Sequence, residues 1–118
     1  MKLGEQGEQI AVDYLTKKKF KILARNYETS YGEIDIIASW KKQIHFIEVK
    51  TRRSTNFGSP EEAVTVQKQQ KIRNVAQVFL GEDRAKRLSK YEIFLDVIAI
   101  KINEYDELYN VQHFVGAF

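Results

Sequence analysis

The sequence has no cysteine, only one proline and only six glycines among its 118 residues. The lack of cysteine excludes disulfides, thiolate catalysis and cysteine-ligated zinc. The few glycines and single proline, with 43% hydrophobic and 30% charged residues, argue against disorder and are typical of a globular protein. The length predicts one domain spanning residues 1–118, large enough to bury a hydrophobic core.

The sequence also lacks a long apolar run. Its N-terminal segment has no apolar signal core, and no stretch approaches membrane-spanning length. We therefore expect a cytoplasmic protein without a membrane partner. The net charge is only +3, but basic residues cluster at 17–21, 50–53, 68–73 and 84–87. Such patches are compatible with phosphate binding, although charge runs are more often simply solvated.

Hydrophobic patterning predicts the element order αβββαββ. The expected elements are a helix over 4–20, strands over 20–28, 32–39 and 43–51, a helix from Pro60 to Leu80, and strands over 91–102 and 108–118. The single proline is placed to begin the long helix, and the last strand is short or a tail. This order indicates an α/β sandwich, with a mixed sheet flanked by helices.

The third predicted strand carries charges on a face that begins as core. Residues 45–53 read HFIEVKTRR, and the face that starts with Ile44 and Phe46 continues with Glu48 and Lys50. An unpaired buried charge costs several kcal/mol. Glu48 and Lys50 therefore need partners, a metal ion or a solvent-filled cleft.

The second and third strands are expected to form a hairpin. If Ile37 faces Phe46, then Asp35 lies opposite Glu48 on the same face. Directly opposed carboxylates repel unless a cation lies between them. Asp35 and Glu48 are therefore candidate ligands of Mg²⁺ or Mn²⁺, with open positions for water and phosphate. Lys50 would orient or activate the attacking water, or stabilise charge on the phosphate.

Basic residues near this hairpin are candidates for nucleic-acid binding. We expect Arg52 and Arg53 to flank the cleft and contact phosphate, with a solvated loop as the alternative. Lys68 and Lys71 belong to the long helix, and Lys68 lies on its apolar stripe. Lys68 can either contact phosphate and neutralise the cleft, or only extend from the helix edge to solvent.

Other polar residues have simpler interpretations. Glu33 can form a cross-strand ion pair with Lys50. Asp96 lies among apolar residues of the fourth strand, where we expect a buried carboxylate paired with an arginine such as Arg25. The two histidines, at positions 45 and 113, are too isolated in the sequence to predict a metal or catalytic role, so a structural role is expected for both.

Several motifs in order carry a family resemblance. GEIDII followed by IEVK resembles the Asp…Glu-x-Lys core of the PD-(D/E)xK nuclease superfamily, although Ile34 stands where the proline of that name would be. Over nearly the whole chain, the sequence resembles the YraN-like family of largely uncharacterised bacterial proteins. The motifs shared with that family are GEQGEQIAVDYL, ILARNY, GEIDIIA, FIEVKTR, FGSPEEAV, KQQKI and VGAF.

The resemblance implies a restriction-endonuclease-like sandwich and a Mg²⁺-dependent DNA endonuclease, for which structure-specific cleavage like that of a junction resolvase is one open form. The family is similar to archaeal Holliday-junction resolvases, in which a helix glutamate joins the Asp and Glu-x-Lys. Glu8 occupies that position, although acids near a helix start also serve the helix dipole. The implied catalytic set is Glu8, Asp35, Glu48 and Lys50. Junction cleavage would favour a homodimer.

Two other functions remain open from the sequence. The same fold could bind DNA or RNA through its basic patches without cleaving it. A third and weaker interpretation is a structural or assembly protein whose charges form ion pairs.

Overall fold

The computed structural model describes residues 2–53, 65–103, 105 and 108–118. Within these residues, no helix is both long and apolar enough to cross a membrane. The helices and strands follow the predicted order, with a short 3₁₀ helix added before the fourth strand. The elements are α1 (Leu3–Lys17), β1 (Lys21–Thr29), β2 (Gly32–Trp40), β3 (Gln43–Arg53), α2 (Val66–Leu80), a 3₁₀ helix (Asp83–Leu88), β4 (Glu92–Ile102) and β5 (Tyr109–Phe114).

The five strands form one mixed sheet in the order β1-β2-β3-β4-β5. Strands β3 and β4 are parallel, whereas the other neighbouring strands are antiparallel. A parallel pair needs a crossover connection, which here includes α2 and the 3₁₀ helix. The mixed sheet and the αβββαββ order are therefore confirmed.

A helix packs on each face of the sheet. Side chains of α2, including Phe79, form one apolar cluster with Phe46 of β3. Side chains of α1, including Leu15, form a second cluster with Ile47 of the same strand. Because successive side chains of a strand point to opposite faces, β3 contributes to both clusters. The two-sided apolar character of its sequence is thus explained.

The predicted hairpin register is confirmed. Ile37 pairs with Phe46, and the ladder between β2 and β3 runs from Trp40–Gln43 to Ile36–Ile47. The next position along β2 is Asp35, whose Oδ2 accepts a hydrogen bond of 2.8 Å from the Val49 N–H. The hairpin ladder therefore ends at the two carboxylates that the sequence places opposite one another.

The long helix begins later than predicted. Thr65 has extended backbone, with ψ of 162°, and its side chain accepts a hydrogen bond from the Lys68 N–H. This N-cap starts α2 at Val66, so an unbroken helix from Pro60 is wrong; residues 60–64 lie outside the described residues. The predicted stripe is confirmed, with all four apolar residues buried: Ile72, Val75, Ala76 and Phe79.

Asp96 does not pair with an arginine, contrary to the sequence prediction. Its Oδ2 lies 2.6 Å from His45 Nδ1 and 2.7 Å from His113 Nε2, and its Oδ1 accepts a bond from the Gly116 N–H. Strand β4 lies between β3 and β5, so histidines far apart in the sequence flank one carboxylate. Arg25 instead donates to Gln9.

Helix α1 packs tightly against β3 at Gly7. A Cβ atom on Gly7 would lie 1.8 Å from Thr51 Oγ1 and 2.7 Å from Thr51 Cβ. Gly7→Ala should therefore destabilise the protein by about 1–3 kcal/mol in urea unfolding, because α1 must move away from β3.

Gly4→Ala provides the matched control for this packing. No atom lies within 4 Å of a Cβ placed there, so the better helix propensity of alanine should raise stability by up to about 1 kcal/mol. Equal stability of the two variants would show that the close approach at Gly7 is unimportant.

Candidate functional site

A cavity of about 470 Å³ opens where the β2–β3 hairpin meets the N-terminal end of α2. We call it the carboxylate cleft. It brings together Asp35 and Glu48, as predicted, with two lysines of α2. Its lining residues are Gly32, Glu33, Asp35, Glu48, Thr65, Gln67, Lys68, Lys71 and Ile72.

The environment of the cleft disfavours the ionised form of Asp35. Burial and the nearby charge of Glu48 raise its pKa from 3.8 to about 7, and the charges of Glu8 and Glu33 add to this effect. The hydrogen bond from the Val49 N–H acts in the opposite direction but does not restore the usual pKa. The cleft therefore favours a proton or another cation beside Asp35.

Glu48 is a buried carboxylate that forms ion pairs with two lysines. It is only 7% exposed, and one of its oxygens, Oε1, lies 2.8 Å from Lys68 Nζ and 3.7 Å from Lys50 Nζ. A buried carboxylate requires such partners because desolvation of its charge is costly. The ion pair of Lys50 is therefore with Glu48 on its own strand, not with Glu33 as the alternative interpretation expected.

The two lysines are perturbed in opposite directions. Burial lowers the pKa of Lys50, and the neighbouring charge of Lys68 lowers it further despite the attraction of Glu48. For Lys68, burial also acts to lower the pKa, but the hydrogen bond to Glu48 and its charge raise the pKa overall. Lys68 thus points into the cleft and does not simply extend to solvent.

Glu8 lies at the margin of this network and does not line the cleft. Burial raises its pKa, the hydrogen bond from Asn26 lowers it, and the charges of Glu33 and Glu48 raise it again. The close packing of Gly7 on β3 brings this part of α1 near the end of the hairpin. Glu8 is therefore coupled to the cleft without being one of its walls.

Asn26 is a site residue that the sequence analysis missed. With its amide nitrogen facing the carboxylates, it donates to Glu8 Oε1 at 3.0 Å and to Glu33 Oε1 at 3.2 Å. Asn26 has φ of 48°, a left-handed conformation that asparagine tolerates better than most residues. A polar asparagine within the apolar motif ILARNY was the available signal of an irregular strand.

The donor set of the cleft fits a hard cation with two protein ligands. Asp35 and Glu48 offer carboxylate oxygens, and water and phosphate commonly supply the remaining ligands of Mg²⁺. Within the described residues, however, no three cleft carboxylates bring their oxygens within 4.8 Å of one another. A cation on Glu48 Oε1 would also displace Lys68 from that oxygen.

The predicted phosphate-binding residues separate into two groups. Lys68 and Lys71 line the cleft itself. Arg52 and Arg53 do not line it; they lie at the C-terminal end of β3, half-buried and exposed respectively. Two of the four predicted phosphate-binding residues therefore belong to the cleft, and the other two belong to the end of β3.

The raised pKa of Asp35 predicts a specific pH dependence of stability. Because the folded protein holds this proton to about pH 7 while the unfolded chain releases it near pH 4, stability without divalent cations should fall as pH rises through this window. Asp35→Asn should remove the fall and stabilise the protein at pH 8 by on the order of 1–3 kcal/mol.

Denaturant unfolding from pH 4 to pH 8 in the presence of a chelator measures this effect. Asp13→Asn is the control, since Asp13 is an exposed carboxylate of α1 that bonds to Gln9. An unchanged pH profile for Asp35→Asn would contradict the electrostatic account of the cleft.

Comparison with known sequences identifies the family. The family model described as "Uncharacterised protein family UPF0102" matches residues 7–100. A UPF0102 protein of Caldanaerobacter subterraneus subsp. tengcongensis is 47% identical over 117 residues, covering 98% of this chain and 93% of the relative. A UPF0102 protein of Syntrophotalea carbinolica is 45% identical, covering 100% of this chain and 92% of the relative. A UPF0102 protein of Syntrophomonas wolfei is 43% identical, covering 98% of this chain and 96% of the relative. This chain therefore belongs to UPF0102, the YraN-like family of uncharacterised bacterial proteins that its motifs resemble.

Proposed function

We propose that this protein is a Mg²⁺- or Mn²⁺-dependent endonuclease that hydrolyses phosphodiester bonds in DNA, on a restriction-endonuclease-like fold. The observation that supports this most is the pair of carboxylates, Asp35 and Glu48, in one cleft with Lys68 and Lys71. The Asp35 pKa of about 7 adds support, because a divalent cation would relieve the same repulsion that a proton relieves.

The residues of the cleft have separable roles in this proposal. Asp35 and Glu48 hold the cation, which when bound supplies Lewis acidity and a more acidic water. Lys50 lies beside Glu48 with a lowered pKa, so its amine is nearer than usual to the range in which a side chain accepts a proton. Lys68 leaves Glu48 and contacts the phosphate.

Glu8 and Asn26 form the outer part of the proposed site. The amide nitrogen of Asn26 donates to both Glu8 and Glu33, which holds these two carboxylates near the first residues of β2. In this arrangement Glu8 positions water or the cation shell, as the resemblance to the resolvases implies. A junction substrate would further require a two-fold homodimer, because two strands must be cut symmetrically.

A second candidate is a nucleic-acid-binding module that does not cleave. The 2.8 Å ion pair between Lys68 and Glu48 favours it, because a lysine already neutralises the carboxylate that a cation would use. In this case Lys68 and Lys71 would bind phosphate together with the arginines of β3, and a proton would partly neutralise Asp35 up to its pKa of about 7.

Cleavage of labelled junction, flap, single-stranded and duplex DNA with Mg²⁺ or Mn²⁺ distinguishes the two candidates. Asp35→Asn and Glu48→Gln each remove one negative charge that holds the cation, so each should reduce cleavage by at least about 100-fold while the fold remains intact. Lys50→Ala should lower the rate but spare metal affinity, since an ammonium is not a metal ligand.

Two comparisons make this experiment decisive. Glu8→Gln should cause a strong loss if α1 contributes to the site, whereas unchanged activity would leave Glu8 as a charge near the helix start. Asp13→Asn, on the exposed side of α1, should cleave like wild type. If wild type and Asp35→Asn show the same trace activity, that activity is a contaminant and the binding module is the better proposal.

DNA affinity should fall steeply with salt concentration, because lysine and arginine contacts to phosphate release counterions. The double substitution Arg52→Ala/Arg53→Ala should weaken binding to all sequences about equally and reduce the salt slope by roughly one for each phosphate that is no longer neutralised. Lys86→Ala/Arg87→Ala is the control with an equal change of charge in the 3₁₀ helix. Equal effects of the two double variants would mean that binding follows net charge alone.

A further inference from the structure

A second cluster of ligand-type side chains lies outside the carboxylate cleft. It consists of His45 on β3, Asp96 on β4 and His113 on β5, which we call the His–Asp–His cluster. Their ligand atoms all lie within 4.8 Å of one another, which is true of no other such group in the described residues. The side chains are almost fully buried, with exposures of 1%, 0% and 6%.

Each of the three side chains is also held from its other side. Gln43 Oε1 lies 2.9 Å from His45 Nε2, and Tyr14 Oη lies 3.3 Å from His113 Nδ1. The Gly116 N–H donates to Asp96 Oδ1 at 2.9 Å. Hydrogen bonds of this kind orient the ligands of metal sites and fix the histidine tautomers.

The hydrogen bond to Gln43 bears on which His45 nitrogen is available. Gln43 Oε1 can accept a proton carried on His45 Nε2, 2.9 Å away. That tautomer leaves His45 Nδ1, which lies 2.6 Å from Asp96 Oδ2, as the nitrogen that can bind a metal ion.

We propose that His45 Nδ1, His113 Nε2 and Asp96 Oδ2 bind a divalent transition-metal ion of the Zn²⁺ class. Two imidazole nitrogens and one carboxylate oxygen form a set that such ions accept, unlike the all-oxygen set that Mg²⁺ prefers. On binding, the ring proton of His45 moves from Nδ1 to Nε2, where Gln43 Oε1 accepts it. The His113 proton moves from Nε2 to Nδ1, where the Tyr14 oxygen accepts it.

The geometry requires only a small expansion. The nitrogen–oxygen separations are 2.6 and 2.7 Å, whereas bonds of about 2.0–2.1 Å in a tetrahedral site place ligand atoms about 3.3 Å apart. His113 belongs to β5, which lies at an edge of the sheet and can move more easily than the central strands. The nitrogen–oxygen separation must therefore grow by about 0.7 Å between His45 and Asp96 and by about 0.6 Å between His113 and Asp96.

Solvent can reach this cluster through an aromatic cavity of about 420 Å³. His45 and His113 line the cavity together with Tyr14, Phe20 and Trp40, and none of its lining residues belongs to the carboxylate cleft. The cavity supplies a route for the ion and room for water as a fourth ligand. A bound ion would link three strands and the turn at Gly116.

Titration of the full chain with Co²⁺, followed by visible absorption, tests this proposal directly. Wild type should bind one Co²⁺ at this cluster with the intense band of tetrahedral coordination, and Zn²⁺, but not Mg²⁺, should displace it. His113→Gln should lose the band, because its amide can still donate to Asp96 but is a poor metal ligand. Asp35→Asn should retain the band, since Asp35 lies in the other cavity.

Crystals of wild type grown with Zn²⁺ provide a test that does not depend on a variant. An anomalous peak at about 2.0–2.2 Å from His45, Asp96 and His113 would support the proposal even if His113→Gln fails to fold. The proposal is overturned if the peak lies only at Asp35 and Glu48 or on the surface. It is also overturned if wild type shows no tetrahedral band, or if a folded His113→Gln retains it.

Discussion

The ion pairing of Glu48 is the interaction on which the arrangement of the cleft depends. This carboxylate lies on a strand covered on both faces, where an unpaired charge would cost several kcal/mol. Lys50 comes from the same strand, but Lys68 is brought by α2, whose position depends on the apolar contacts of its stripe with the sheet. A change in the packing of α2 would therefore alter the ion pair of Glu48, and a loss of that ion pair would affect the packing of α2.

The central strands carry charge on both faces of the sheet. On the α2 side, Glu48 is paired with lysines, and on the α1 side, Asp96 is paired with histidines. The pKa of Asp96 and the pKa of Asp35, the carboxyl group beside Glu48, are shifted in opposite directions. Hydrogen bonds from His113, His45 and Gly116 hold the pKa of Asp96 low despite its burial, whereas the pKa of Asp35, beside Glu48, is raised. Asp35 therefore lacks sufficient stabilisation of its charge, whereas the hydrogen-bond donors around Asp96 stabilise its anion.

The sequence predicted the features that follow from strand alternation. The parity of β2 and β3 was enough to place Asp35 and Glu48 together, because shifting a strand by one residue would expose its core side chains. The sequence could not reveal which groups Asn26 contacts, because these depend on a left-handed residue within β1 that the asparagine signals only as an irregularity. Nor could it reveal the contacts of Asp96, because these depend on β4 lying between β3 and β5, two strands that are far apart in the sequence.

The position of Lys68 links the binding of a cation to the binding of phosphate in the proposed nuclease. A cation and the Lys68 ammonium compete for the same oxygen of Glu48, so without DNA the lysine opposes metal binding. A phosphate bound at the cleft would offer Lys68 another negative partner. When Lys68 moves to the phosphate, Glu48 Oε1 becomes free to bind the cation. Each ligand then favours the other, because coupling between two binding sites is reciprocal. A weak affinity for Mg²⁺ in the free protein is therefore compatible with metal-dependent cleavage of bound DNA.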